Sequence, residues 1–188
     1  MADIAADSAP PRGEVAALVA VQSALGERPW ALGVARALSY FGEHSIGWLA
    51  VSAFGAILQP RRRRAWLVAG GGAFAAHAAA VLIKRVVRRP RPHHPAVAVN
   101  VGTPSSLSFP SAHATSTTAA SILLARATGA PLPVMLVPPM AVSRVLLGVH
   151  YPSDVATGVV VGAIVAAAVE RLAARIDGRF TPAGGASE

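Results

Sequence analysis

His150 and Asp154 are the two residues of this chain whose spacing most clearly indicates chemistry. Asp154 is the only acidic residue between Glu43 and Glu170 and follows His150 by four positions. On one helical turn this spacing places the carboxylate beside the imidazole. A carboxylate that holds one ring nitrogen leaves the other nitrogen unprotonated and nucleophilic. The pair therefore predicts a histidine nucleophile that an aspartate orients.

Three cations accompany this pair. Lys84, the only lysine of the chain, and Arg91 belong to one basic segment, and Arg144 precedes His150. Guanidinium groups match the geometry of phosphate oxygens and bind them through paired hydrogen bonds. Taken alone, the basic segment would be explained by contacts with anionic lipid headgroups. Beside a histidine nucleophile, the cations favour a phosphate site.

His113 adds a second imidazole, within Phe109-Pro110-Ser111-Ala112-His113 at the start of a predicted helix. The free N–H groups of a helix start favour an anion, and His113 is placed to act as a general acid. A helix cap with a neighbouring histidine is the alternative. Cations, a nucleophile and a proton donor are what phosphoryl transfer requires. No carboxylate cluster accompanies them, so we expect no metal site and no cofactor.

Each of these groups stands at an end of an apolar segment: Ile46–Leu58 and residues 65–83, 110–127, 132–147 and 155–169. Residues 65–83 carry no formal charge over 19 positions, about the length that crosses a bilayer. We predict an all-α integral membrane helical bundle of five transmembrane helices, because lipid requires internally satisfied backbones. A sixth is added if residues 14–40 cross the membrane instead of forming an interfacial helix pair. Alternating span directions place all three groups at one membrane face.

The composition agrees with a membrane protein. Hydrophobic residues make up 53% and charged residues 14%, and the net charge of +8 comes from short clusters between apolar stretches. A nucleic-acid-binding domain would spread its basic residues over a polar surface. We expect one membrane domain at 13–176, between flexible tails at 1–12 and 177–188. The arginines at 61–64 are interpreted as a cytoplasmic anchor, which places the site at the extracytoplasmic face of a bacterial plasma membrane. The oligomeric state stays open.

The three groups resemble the motifs of the type 2 phosphatidic acid phosphatase (PAP2) superfamily. K-x6-R-P matches residues 84–92, P-S-G-H matches 110–113, and S-R-x5-H-x3-D matches 143–154. The resemblance implies that His150 becomes phosphohistidine, with Asp154 orienting it, and that His113 protonates the leaving oxygen. It also implies a metal-free phosphate site, formed by Lys84, Arg91, Ser111, Ala112 and Arg144. Ala112 stands where the motif has glycine, and its backbone N–H can still face the phosphate.

The substrate is indicated by a narrower resemblance. The chain is similar to short actinobacterial members of the superfamily that are assigned to the decaprenylphosphoryl-5-phosphoribose phosphatase step, which implies a polyprenyl-linked lipid phosphate. Polyprenyl diphosphate, phosphatidylglycerophosphate and phosphatidic acid are the alternatives. A vanadate haloperoxidase is another alternative with the same pocket. Its resemblance is to larger soluble proteins, and the apolar spans of this chain argue against it. A non-catalytic protein that binds anionic lipid would need the cations and not the two histidines.

Overall fold

The architecture is a bundle of α-helices, numbered here in chain order. The computed structural model describes residues 10–180. The helices are α1 Gly13–Leu25, α2 Pro29–Gly42, α3 Ile46–Leu58, α4 Arg63–Val87, α5 Ala112–Thr128, α6 Leu132–Leu146 and α7 Pro152–Phe180. Within the described range no β-strand forms, and Pro90 and Leu107 make an isolated β-bridge. The all-α prediction is confirmed.

Local sequence signals explain where helices begin and end. α2 begins at Pro29, whose fixed φ suits the first helical position and whose missing N–H is not needed there. Ser111 caps α5, because its Oγ accepts a hydrogen bond from the N–H of Ala114 at 3.4 Å. α5 stops at Gly129, which takes the left-handed conformation with φ of 80°.

α5 occupies the centre of the bundle and packs against α4, α6 and α7. Its small side chains are buried along most of its length. On the facing side of α7, Gly158 lies so close to α5 that an added Cβ would be 2.7 Å from the carbonyl oxygen of Ser111. Gly162 presses against the Thr115 carbonyl in the same way. This GxxxG spacing therefore joins two helix backbones.

The bundle is apolar outside and partly polar inside. Exposed apolar side chains on its helices include Phe54, Leu67, Phe74 and Ile164, whereas the hydroxyl side chains of α5 are buried. Within residues 10–180, two helical segments, Pro60–Val87 and Pro152–Asp177, are long and apolar enough to cross a membrane by length and composition. Apolar side chains outside and polar groups inside are the distribution that lipid favours over water.

The N-terminal region forms a pair of helices, separated near Arg28-Pro29. Both α1 and α2 pack against α6. α2 makes its contacts through small buried residues that recur on one face, among them Ala31, Ala35 and Gly42. Small residues allow a close approach, so this helix pair lies against the part of the chain that carries the motifs.

The C-terminal boundary differs from the predicted one. Residues 177–180, expected to begin a flexible tail, continue α7. Residues 10–12 precede α1 without regular structure. The rest of the two predicted tails, 1–9 and 181–188, lies outside the described residues.

Candidate active site

A cavity of about 470 Å³ lies where α4 ends and where α5 and α7 begin. Six of the eight predicted site residues line it: Lys84, Arg91, Ala112, His113, Arg144 and His150. The other two, Ser111 and Asp154, are fully buried and do not form its surface. Three segments far apart in the chain are thus brought to one cavity.

Arg144 is a deeply buried cation of this cavity, only 1% exposed. Among the described residues, nothing accepts a hydrogen bond from its Nε or Nη1. Buried donors are nearly always paired, because an unpaired one costs about 1–3 kcal/mol. An anion that enters the cavity would supply the missing acceptors.

Lys84 and Arg91 are fixed by the chain around them. Nζ of Lys84 donates hydrogen bonds to two backbone carbonyls of the α4–α5 loop, at 2.9 and 3.1 Å. Nε of Arg91 donates to the Ser105 carbonyl at 2.8 Å, and its Nη1 donates to the Val149 carbonyl at 2.6 Å. Burial lowers the pKa of Arg91 to about 10, so this guanidinium stays charged at neutral pH.

His150 lies between a cation and a carboxylate. Its Nε2 is 3.4 Å from Nη1 of Arg91, and its Nδ1 is 3.6 Å from Oδ2 of Asp154, a little beyond hydrogen-bond length. Burial, and after it the positive charges of Arg91, Arg144 and Lys84, lower the pKa of His150 well below its ordinary value of 6.5. The ring is therefore neutral at physiological pH, which is the form that can act as a nucleophile.

Asp154 has shorter contacts than the one to His150. Its Oδ1 accepts a hydrogen bond from Nη1 of Arg89 at 2.9 Å, and its Oδ2 accepts one from the Tyr151 N–H at 2.8 Å. The expectation that the carboxylate simply holds the imidazole is therefore incomplete. Sequence reasoning missed Arg89, although a buried carboxylate needs a cationic partner and Arg89 stands two positions before Arg91.

His113 is positioned by α2, a helix that carries none of the motifs. Its Nε2 lies 2.9 Å from the Ser39 carbonyl oxygen. Since a carbonyl only accepts, Nε2 carries a proton and Nδ1 is the nitrogen left for another partner. Gly42 lies against the same ring, and a Cβ there would be 2.6 Å from Cδ2 of His113. No motif or spacing in the sequence pointed to a role for α2 in the site.

Ser111 and Ala112 stand at the first turn of α5 in different roles. The Ser111 hydroxyl caps the helix, and the Ser111 N–H donates to the backbone carbonyl of Asp154 at 3.0 Å. Ser111 thus ties the start of α5 to the first turn of α7. Ala112 begins the helix and is not among the residues with positive φ, so the backbone here does not require the glycine of the motif.

Glu43, His44 and His77 form a polar wall on another part of the cavity lining. The ring centroids of His44 and His77 are 5.8 Å apart, and Nδ1 of His77 is buried without a hydrogen-bond partner in the described chain. His44 and Ser45 both adopt left-handed backbone conformations, with φ of 50° and 61°. Such strained positions are retained chiefly at functional sites. No spacing signal in the sequence pointed to this wall.

The described residues place no cluster of metal ligands at the cavity. Between residues 10 and 180, no three His, Cys, Asp or Glu side chains gather to hold a metal ion. In the loop, Nδ1 of His94 accepts a hydrogen bond from the Ala96 N–H at 3.1 Å. The cations of the site are the groups available to balance phosphate charge.

Residues 65–176 match the model of the PAP2 superfamily. In sequence, the chain is 73% identical over 160 residues to the decaprenylphosphoryl-5-phosphoribose phosphatase of Mycobacterium tuberculosis (strain ATCC 25618 / H37Rv), covering 85% of this chain and 90% of that protein. It is 71% identical over 148 residues to the phosphatase of the same name from Mycolicibacterium smegmatis (strain ATCC 700084 / mc(2)155), covering 79% and 82%.

Two solved structures share the fold. The first is a transmembrane PAP2-type phosphatidylglycerolphosphate phosphatase from Bacillus subtilis, with a TM-score of 0.67, 21% identity and 86% of each chain covered. The second is Aquifex aeolicus LpxE, with a TM-score of 0.65, 18% identity, and 82% of this chain and 92% of that chain covered. At these identities the likeness shows the fold of a transmembrane helical bundle.

Proposed function

The chain belongs to the PAP2 superfamily, and from this premise we propose that it is a membrane phosphatase that removes the 5-phosphate of decaprenylphosphoryl-5-phosphoribose. The observation that carries the proposal is Arg144, a buried guanidinium with two unpaired nitrogens beside His150 and His113 in one cavity. A phosphate would pair those donors where His150 can reach the phosphorus atom. This lipid is chosen because the two mycobacterial relatives are both named decaprenylphosphoryl-5-phosphoribose phosphatase.

The reaction runs in two steps on the two histidines. Nε2 of His150 attacks the phosphorus atom, the bond from phosphorus to the ribose C5 oxygen breaks, and protonated His113 gives a proton to that oxygen. Water then attacks the phosphohistidine, His113 takes back a proton, the P–N bond breaks, and inorganic phosphate is released. The three cations neutralise the phosphate oxygens in both steps.

The geometry supports His150 as the nucleophile and His113 as the proton donor. With a proton on Nδ1, His150 points that N–H at Asp154 and leaves the Nε2 lone pair beside Arg91 for the phosphorus atom. His113 keeps Nε2 on the Ser39 carbonyl, so Nδ1 serves the leaving oxygen. A bound dianionic phosphate favours the protonated imidazole of His113.

The polar wall supports a substrate with a sugar next to the phosphate. Glu43 accepts hydrogen bonds, and the imidazoles of His44 and His77 both donate and accept them, which suits ribose hydroxyls. Arg85 also lines the cavity and is exposed, so it is placed to contact the second phosphate, which joins the ribose to the lipid. A phosphatidic acid headgroup has no hydroxyls to use this wall.

The chain is a membrane protein, and we propose that it crosses a bacterial plasma membrane several times with the cavity at the extracytoplasmic face. At the opposite end of the bundle, Arg64 pairs with Asp177, Arg126 pairs with Glu170, and Arg62 donates to the Ala127 carbonyl. That end gathers the arginines at 61–64, 126, 171 and 175. Cytoplasmic ends of membrane proteins carry this excess of positive charge.

The test is phosphate release by the purified protein from a panel of lipids in detergent. We expect release from decaprenylphosphoryl-5-phosphoribose to exceed release from polyprenyl diphosphate, phosphatidylglycerophosphate and phosphatidic acid, and to persist in EDTA. If another lipid is hydrolysed and the phosphoribosyl lipid is not, the substrate is wrong. If the protein binds these lipids and hydrolyses none, it is a lipid-binding protein and not a phosphatase.

A further inference from the structure

Arg89 is the centre of a polar cluster behind His150. Its Nη1 donates to Oδ1 of Asp154 at 2.9 Å and to Oγ of Ser153 at 2.7 Å, and its Nη2 donates to Oε2 of Glu14 at 2.6 Å. The guanidinium also lies over the Tyr151 ring, 3.9 Å from its centroid, a favourable cation–π geometry. Arg89 does not line the cavity, so its partners are these side chains and not the phosphate.

The contact to Asp154 fixes which carboxylate oxygen faces the nucleophile. Asp154 is 0% exposed, and Arg89 occupies Oδ1 while the Tyr151 N–H occupies Oδ2. Oδ2 is also the oxygen 3.6 Å from Nδ1 of His150. Rotation of the carboxylate away from His150 would break both hydrogen bonds at once.

Glu14 extends the cluster into α1. Besides pairing with Arg89, its Oε1 accepts a hydrogen bond from the Ser153 N–H at 2.8 Å, in the first turn of α7. Glu14 therefore bridges the loop after α4 and the start of the helix that carries Asp154. It lies outside residues 65–176, the part of the chain that matches the family model.

We propose that Arg89 and Glu14 form a latch that positions Asp154, so that α1 sets the orientation of the nucleophile His150. Arg89 is a positioning residue that acts through Asp154. The inference rests on the proposed phosphohistidine chemistry and adds to it a role for the N-terminal helix. A lysine cannot replace Arg89, because an ammonium lacks the planar fork that reaches Asp154, Ser153 and Glu14 together.

The experiment is a double-mutant cycle on the purified full-length protein, with the lipid phosphate that it hydrolyses in the panel above. Asp154→Asn should lower kcat about 10⁴-fold, the order found for an orienting aspartate elsewhere. Arg89→Lys should lower kcat about 10²-fold with KM nearly unchanged, the order expected for a small misplacement of a reacting group. The double variant should be no slower than Asp154→Asn alone, since both changes remove the same effect, the orientation of His150 by Asp154.

Matched variants separate positioning from general damage. Glu14→Gln should lower kcat about tenfold with KM unchanged, because a neutral amide holds the guanidinium less firmly than a carboxylate does. Glu27→Gln and Arg88→Lys change the same residue types at exposed positions and should leave kcat unchanged. Thermal unfolding in detergent identifies variants that fail to fold, and the conservative Glu14→Gln keeps the test available if Arg89→Lys is unstable.

Three outcomes overturn the latch. In the first, the kcat penalties of Arg89→Lys and Asp154→Asn multiply in the double variant. In the second, Arg89→Lys raises KM without lowering kcat, and in the third, neither Arg89→Lys nor Glu14→Gln changes kcat. An unaltered protein that hydrolyses no phosphomonoester overturns the proposed function and the latch together. An active protein with multiplying penalties overturns the latch alone.

Discussion

At the scale of the residue, the site depends on an imidazole that stays neutral among cations. A phosphate dianion needs positive charge around it, whereas a histidine nucleophile needs its lone pair. Three neighbouring cations supply the positive charge. Together with burial they also lower the pKa of His150, so its lone pair stays free. In the proposed mechanism, the charges that bind the phosphate also keep the nucleophile deprotonated.

The pKa of His150 gives a prediction with a definite sign. Since it lies well below 6.5, the neutral ring should persist as the pH falls through 6.5, and activity that depends on it should be lost only at lower pH. Arg91→Gln removes the charge with the largest effect on His150 and should raise its pKa toward 6.5. NMR titration of ¹³C-labelled histidine, assigned with His150→Ala, measures both values.

Arg126→Gln is the control for that titration, because Arg126 lies at the opposite end of the bundle. It should leave the pKa of His150 where it is. A His150 pKa that does not rise in Arg91→Gln would contradict the electrostatic account.

The two histidines should differ in their response to the leaving group. His150→Ala should reduce turnover at least about 10⁴-fold on every substrate, as expected when a nucleophile is removed. His113→Ala should be far less damaging for an aryl phosphate, whose leaving oxygen needs no proton, than for a sugar phosphate. Phosphate release from both substrates measures the difference, and equal losses in His113→Ala would exclude His113 as the acid.

At the scale of the element, α2 is part of the site although it carries no motif. Gly42 leaves room for the ring of His113, and Ser39 accepts its Nε2–H. A methyl group at position 42 would displace the ring, and a small displacement of a catalytic group is costly. The position of His113, the proposed general acid, thus depends on how closely α2 approaches α5.

Gly42→Ala tests this dependence. Its Cβ would be 2.6 Å from Cδ2 of His113, so we expect kcat for the lipid substrate to fall about 10- to 100-fold. Gly33→Ala is the matched control in the same helix, because nothing lies within 4 Å of a Cβ there. It should keep full activity and raise stability by about 0.5–1 kcal/mol, the advantage of alanine over glycine in a helix. Equal activity of the two variants would show that α2 does not position His113.

The elements that the sequence predicts well are those with a local signal. Apolar runs bounded by charge or proline located α3 to α6 and the start of α7 within a few residues, whereas α7 continues well beyond the predicted end at 169. Motif spacing identified side chains that meet in the cavity. The sequence did not predict the positions of Glu14, Ser39 and Glu43 at the site. Each of them reaches it only because a helix or turn from a distant part of the chain packs there. In a chain so rich in glycine and alanine, Gly158 and Gly162 gave no clear packing signal.

At the scale of the whole molecule, the two ends of the bundle differ in what their charges do. At the cavity end, the charged side chains of the site are buried, as Lys84, Arg144 and Asp154 illustrate. At the other end the arginines are exposed, and their pairs are surface pairs. Exposed positive charge is the kind that fixes orientation during insertion.

The proposed orientation is tested with single cysteines in a chain that has none. Ser106, in the loop beside the cavity, and Thr128, at the opposite end of α5, are both exposed hydroxyl residues. In intact cells a membrane-impermeant maleimide should label Ser106→Cys and not Thr128→Cys, and both should react after the membrane is opened. Labelling of position 128 alone in intact cells would place the cavity in the cytoplasm.

The central position of α5 has a consequence for how the chain is made. Its hydroxyl side chains at 115–118 and 121 are buried only because neighbouring helices cover them, and such a helix gains little from meeting lipid alone. α4 precedes α5 and is apolar enough to pack against it, whereas α7 leaves the ribosome after both of them and after α6. We therefore expect α5 to enter the bilayer paired with α4. The side of α5 that α7 contacts should stay uncovered until synthesis of α7 is complete. Assembly of this bundle then depends on the synthesis of α7, which shields the centre of the bundle and brings Asp154 to the site.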